Sequence, residues 1–140
     1  IHRVKQFFRL GVITVLCASL CFVLIGEFFP IAVVSIFTEP TPDLVEVAVY
    51  AIRIYFIAYL PMGLNIISAT FHQSLEASRE ATLISLGRGF FFLVPVLFLL
   101  SFLFGVGGIW ATVPVSEFLT LLLSALLLKR LFASRLSDND

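Results

Sequence analysis

Residues 89–116 read GFFFLVPVLFLLSFLFGVGGIWATVPVS, 28 residues without one Asp, Glu, Lys or Arg. A similar charge-free stretch runs from Ile54 to Leu75, and a shorter one from Leu10 to Gly26. A water-soluble domain of 140 residues has too little interior to bury all three. A bilayer asks for such runs, because a spanning helix needs about 20 mainly apolar residues. The chain therefore reads as an all-α membrane protein.

The rest of the composition agrees. Charged residues make up 13% of the chain, against roughly 25% in soluble domains, and mean hydropathy is +1.09. Sixteen Phe and one Met suit lipid-facing and helix-packing surfaces better than a small aqueous core. The formal net charge is zero, so bulk charge implies no nucleic-acid partner. Cys17 and Cys21 lie four apart on one helical face, a geometry poorly suited to a disulfide, and no further ligands accompany them as a metal site would require. The opening segment, His2-Arg3-Val4-Lys5-Gln6-Phe7-Phe8-Arg9, does not lead into a signal-peptide pattern and reads as an interior loop of a longer protein.

Four transmembrane helices are expected, at about residues 7–37, 42–73, 81–104 and 109–132, with a polar tail over 133–140. The run from Gly89 must turn once, because 28 helical residues would reach ~42 Å at about 1.5 Å each. Gly105-Val106-Gly107-Gly108 is the expected turn. Thr41 is placed to cap the second helix, Pro42 suits its first position, and Asp43 and Glu46 complement its dipole.

Charge orients the set. The N-terminal segment holds Arg3, Lys5 and Arg9, the second loop holds Arg79 with Arg88 just inside the third helix, and the C-terminal flank holds Lys129, Arg130 and Arg135. Glu39, Asp43 and Glu46 mark the opposite side, where no Lys or Arg lies in the connection. The positive-inside rule makes both termini cytoplasmic in a multi-pass protein of the cell membrane, the inner membrane in a bacterium. Trp110, Tyr50 and Tyr55 then fall in an outer aromatic belt.

Ionisable residues inside spans are functional candidates by default. Glu27 and Arg53 both fall near the outer boundary on consecutive antiparallel helices, and are expected to form an outer ion pair. Glu117 comes about 13 Å past Gly108 in a ~30 Å core, close to the midplane. From there it must face protein or a water-filled cavity, protonated or hydrogen-bonded. Asn65 has a similar depth on the second helix, and Ser116 and Ser68 add hydroxyls at that height. These four are the candidate midplane coupling or substrate residues; an interhelical hydrogen bond from a neutral Glu117 is the structural alternative. Arg88 is expected to snorkel or to pair with Glu76 or Glu80, and His72 and Gln73 to be interfacial. Pro61, Pro95 and Pro114, with Gly63, are expected kink sites, since proline removes an intrahelical hydrogen bond. Broken helices at mid-depth are a device of transporters. Soluble-enzyme motifs are absent: there is no HExxH, GxSxG, P-loop or CxxC, so no enzyme activity and no catalytic residue is expected.

Several of these residues recur in a recognisable order: Pro61-Met-Gly-Leu-Asn65, Phe71-His-Gln-Ser-Leu-Glu-Ala-Ser-Arg79, Arg88, Pro95, Gly105-Val-Gly-Gly-Ile-Trp110 and Pro114-Val-Ser-Glu117. Together they resemble the last third of multidrug and toxic compound extrusion (MATE) transporters, and more loosely the flippases of the same superfamily. The resemblance covers nearly the whole chain. It implies that the four helices are the ninth to twelfth of a twelve-helix transporter, part of its C-terminal six-helix lobe. It further implies an antiporter that exchanges H⁺ or Na⁺ for organic cations or drugs by alternating access, with the bilayer, the N-terminal lobe and the substrate as partners and no cofactor beyond the coupling ion. Some subfamilies carry a cation-site carboxylate on the tenth helix; the stretch Ile54 to Leu75 has no acid there. On this reading the four helices alone are not expected to transport. The rival readings are a lipid-linked oligosaccharide or polysaccharide flippase, and a small non-transporting four-helix membrane scaffold.

Overall fold

The computed structural model describes residues 2–137, and every element in it is helical. Four stretches are long and apolar enough to cross a membrane: Lys5–Phe28, Pro42–Ser74, Ser78–Phe104 and Val106–Ser134. They are built from seven α-helices and one π-helical turn: α1 (His2–Phe28), α2 (Pro30–Phe37), α3 (Pro42–Phe56), α4 (Tyr59–Ser74), α5 (Ser78–Leu86), the π-turn (Gly87–Phe91), α6 (Leu93–Phe104) and α7 (Val106–Ser137). Residues 138–140 of the expected polar tail lie outside the described residues, while 133–137 continue α7.

Proline sets most of the breaks. The expected first helix, residues 7–37, is two helices, parted at Phe29 by Pro30 in the first position of α2. The expected second helix, 42–73, is likewise two. Pro61 offers no N–H to Ile57, and its ring crowds that carbonyl. The chain tightens at that point: Ala58 N donates to Tyr55 O (2.9 Å) and Leu60 N to Ile57 O (3.4 Å) before the α pattern resumes at Met62. Pro95 does the same to Phe91 O, and the preceding turn widens into the π-turn, closed by Phe92 N to Gly87 O at 2.9 Å. Pro114 behaves differently and sits inside an uninterrupted α7. Thr41 occupies the N-cap position of α3 with extended dihedrals, but its hydroxyl makes no capping hydrogen bond there.

The expected four-residue glycine turn is shorter in the structure. Gly105 alone reverses the chain, at φ +60°, and α7 starts at Val106. Gly108 therefore lies in the first turn of α7, where its missing side chain lets the helix press on the Leu100 carbonyl of α6. A methyl group there would collide with backbone, which cannot swing aside as a flexible side chain can. Gly108→Ala is expected to lower bundle stability by about 1–3 kcal/mol, measured by unfolding in mixed micelles; an unchanged midpoint would show that the hairpin has slack.

Gly63 is also a packing residue rather than a kink. It lets α4 approach Val15 and Ser19 of α1. Close approach at small residues is the usual way membrane helices gain van der Waals contact, since lipid offers no hydrophobic drive between helices. The most buried span is α7, which packs against α3, α4, α5, α6 and the π-turn. It is the central helix, and its inward face decides what the bundle can do.

Candidate functional site

That inward face is polar. Thr112, Ser116, Thr120 and Ser124 recur every four residues on α7, with Glu117 beside them, and all five are buried. Facing them, α4 buries Pro61, Asn65, Ser68 and His72. The spacing of three and four puts each set on one side of its helix, so the α4–α7 contact is a polar seam inside a bundle whose outer faces are Leu, Phe and Ile.

Glu117 is the centre of the seam, with both carboxylate oxygens engaged. Arg88 Nε donates to Oε1 at 3.1 Å. Asn65 Nδ2 donates to Oε2 at 2.8 Å and to the Glu117 main-chain oxygen at 2.9 Å. Ser124 Oγ in turn donates to Asn65 Oδ1 at 2.8 Å. Three segments thus converge on one carboxylate: α4 supplies the amide, the π-turn supplies the guanidinium, and α7 supplies the acid and the supporting hydroxyl. Glu117 is 4% exposed, so its charge is shielded by partners rather than by water. The ion pair is the one salt bridge among the described residues.

The local backbone explains how Arg88 gets there. It is the second residue of the π-turn, between Gly87 and Gly89. A π-turn inserts an extra residue per turn and rotates the helix beyond it, which is why such turns are frequent at functional sites. Gly87 is buried against Phe92 and Leu123, so the turn sits close on α7.

Of the four midplane candidates, the structure joins Glu117 and Asn65 directly. Ser116 and Ser68 are buried beside them but spend their hydroxyls on their own helices, donating to Val113 O (3.0 Å) and Leu64 O (2.7 Å). Such back-bonding is common for Ser and Thr in helices. Two expectations are corrected. Arg88 pairs with Glu117, not with Glu76 or Glu80, because its own turn faces α7. His72, near the end of α4, is fully buried: its Nδ1–H donates to Ser68 O at 2.8 Å and its Nε2 has no partner among the described residues. Glu27 and Arg53 form no ion pair; α1 and α3 meet instead at Gly26 and the Phe56 ring, and Arg53 turns to a groove shared with Ile31, Glu46 and Tyr50. Ser124 was not a candidate from sequence; a serine seven residues from Glu117 on an apolar helix carries no signal until its face is known.

Chemically, the site is a buried carboxyl group that holds Arg88 through Oε1 and accepts from Asn65 through Oε2. No three His, Cys, Asp or Glu side chains come together as metal ligands among the described residues. Compared with protein-family profiles, curated proteins and solved structures, the chain matches none.

Proposed function

We propose that the chain is part of a cation-coupled multidrug efflux antiporter of the MATE type, contributing four helices of its C-terminal lobe, with both termini cytoplasmic in the cell membrane. The observation that carries the reading is the Arg88–Glu117–Asn65–Ser124 network at mid-span. Intramembrane ionisable residues are expensive and mark ion or substrate pathways. The order of motifs from Pro61 to Glu117 supports the family, and the proline breaks support the bending that alternating access requires.

The geometry favours H⁺ over Na⁺ as the coupling ion at this site. A Na⁺ ion would need several oxygen ligands, yet Asn65 Oδ1 is taken by Ser124 and the Arg88 charge repels a second cation. A proton needs one lone pair of Glu117. For the same reason an organic cation would have to displace Arg88 to reach the carboxylate, so Glu117 is assigned to coupling rather than to direct substrate contact. Substrate then binds elsewhere, between lobes.

The test is efflux of a cationic dye from vesicles carrying the protein at its native length. Glu117→Gln keeps the hydrogen bond to Asn65 but loses the titratable group, and is expected to abolish efflux driven by a pH gradient. Unchanged gradient-driven efflux would restrict Glu117 to packing.

A further inference from the structure

Arg88 touches more than Glu117. Its side chain is 27% exposed, and among the described residues its hydrogen bonding stops at Nε. Arg88 also lines a groove between α4 and α5 of about 410 Å³. Thr70 and Gln73 line it from α4, Ser78, Thr82 and Ser85 from α5, and Arg88 stands at its inner end. Ser78, Thr82 and Ser85 succeed one another at intervals of four and three, so they form one stripe on α5. The neighbouring π-turn presents Phe90 and Phe91 outward instead. Thr82 spends its hydroxyl on Ser78 O at 2.8 Å, but the partly exposed Arg88 charge at the end of the stripe is out of place against hydrocarbon, and the groove has room for roughly a dozen waters at about 30 Å³ each.

We propose that this groove is a water-filled half-channel carrying protons from the 75–77 turn to the Arg88–Glu117 pair. The inference rests on the coupling role proposed for Glu117 and names the route by which that residue is reached. A hydronium ion gives its proton to Glu117 Oε1 and leaves as water. Arg88 keeps its charge and turns into the groove, where water solvates it. The groups around the carboxylate are few. Arg88 faces it from the π-turn; α4 brings Asn65 and, further along the seam, His72. Tyr50 of α3 lies by Gly107, and α6 carries no titratable side chain. On α5, Glu80 is half-buried and Arg79 exposed, in the first turn beside Ser78.

Thiol labelling tests the route in the native-length protein after Cys17→Ala and Cys21→Ala. Single cysteines are placed at Thr82→Cys and Ser85→Cys in the groove, at Thr70→Cys on its other wall, and at Phe90→Cys and Phe91→Cys on the outward face. The probe is a membrane-impermeant, positively charged methanethiosulfonate. Groove positions are expected to react at least roughly tenfold faster than Phe90→Cys and Phe91→Cys, because a thiol against lipid has little thiolate. Reaction is expected from one side of the membrane only, the side holding the 75–77 turn. Equal rates on both faces, or no reaction at either wall, would overturn the half-channel even if efflux were intact. Groove labelling in a protein without dye efflux would uphold the half-channel and remove the transporter reading. Thr70→Cys keeps the test decisive if an α5 variant fails to fold.

Discussion

Replacing Arg88 with alanine is expected to destabilise the bundle by about 3 kcal/mol, since removing one partner of a buried pair strands the other charge. The lower end of the usual range applies because Arg88 is 27% exposed and water already reaches part of it. The double variant Arg88→Met with Glu117→Gln should recover most of the loss, to within about 1 kcal/mol of the parent. Gln still accepts from Asn65 and no longer needs a cation. Both values are read from reversible unfolding in mixed micelles. Equal losses in the single and double variants would mean that the 3.1 Å contact carries no coupling. The comparison also separates stability from the proposed coupling role: if that role holds, a double variant that folds well still fails to couple efflux to a proton gradient.

The spans were legible because apolar length is a local property of sequence. The four expected spans overlap the four membrane-length stretches, though α1 and α7 extend beyond the expected 7 and 132. Breaks were legible at Pro61 and Pro95, each of which disturbs the helix upstream. Pro114 has neighbours that hold α7 together: Thr112 donates to Gly108 O at 3.0 Å on the buried face, and helices press from several sides. Pro30 was legible as a proline but not as a helix start, because the apolar run continues through it.

The site was legible as residues and not as a network. Glu117 and Asn65 stand out because polar side chains at mid-span are rare. Arg88 was expected to snorkel or to pair with its nearest acids in sequence, Glu76 and Glu80. Its true partner is 29 residues away across the Gly105 turn. The signal present in the sequence was sign and depth: Arg88 and Glu117 are opposite charges inside consecutive antiparallel spans. What sequence does not show is the rotation introduced by the π-turn. Burial of His72 was hidden for a related reason. It lies near the end of α4, where exposure is the usual expectation, but it shares the Asn65–Ser68 face that α7 covers.

The second large effect is expected at Asn65. Asn65→Ala removes both amide bonds to Glu117 and leaves Ser124 without its acceptor. Interhelical hydrogen bonds in membranes average about 0.6 kcal/mol and reach about 1.7. Those removed here lie on a buried carboxylate, so a loss of about 2 kcal/mol is expected. The loss should not divide evenly. Ser124 can turn back to its own helix, as Thr120 does to Ser116 O at 2.9 Å, so Ser124→Ala should be worth only about 0.6 kcal/mol. Glu117 has no such alternative, because its Oε2 depends on an amide that only α4 supplies. The prediction is checked by a cycle of Asn65→Ala, Glu117→Gln and the double variant, with unfolding as readout. The Asn65 effect should shrink by at least half once Glu117 is neutral, since the charge-assisted bond is the strongest of the set. A loss at Ser124→Ala as large as at Asn65→Ala would mean that the amide serves to fix α7 rather than to hold the carboxylate in place.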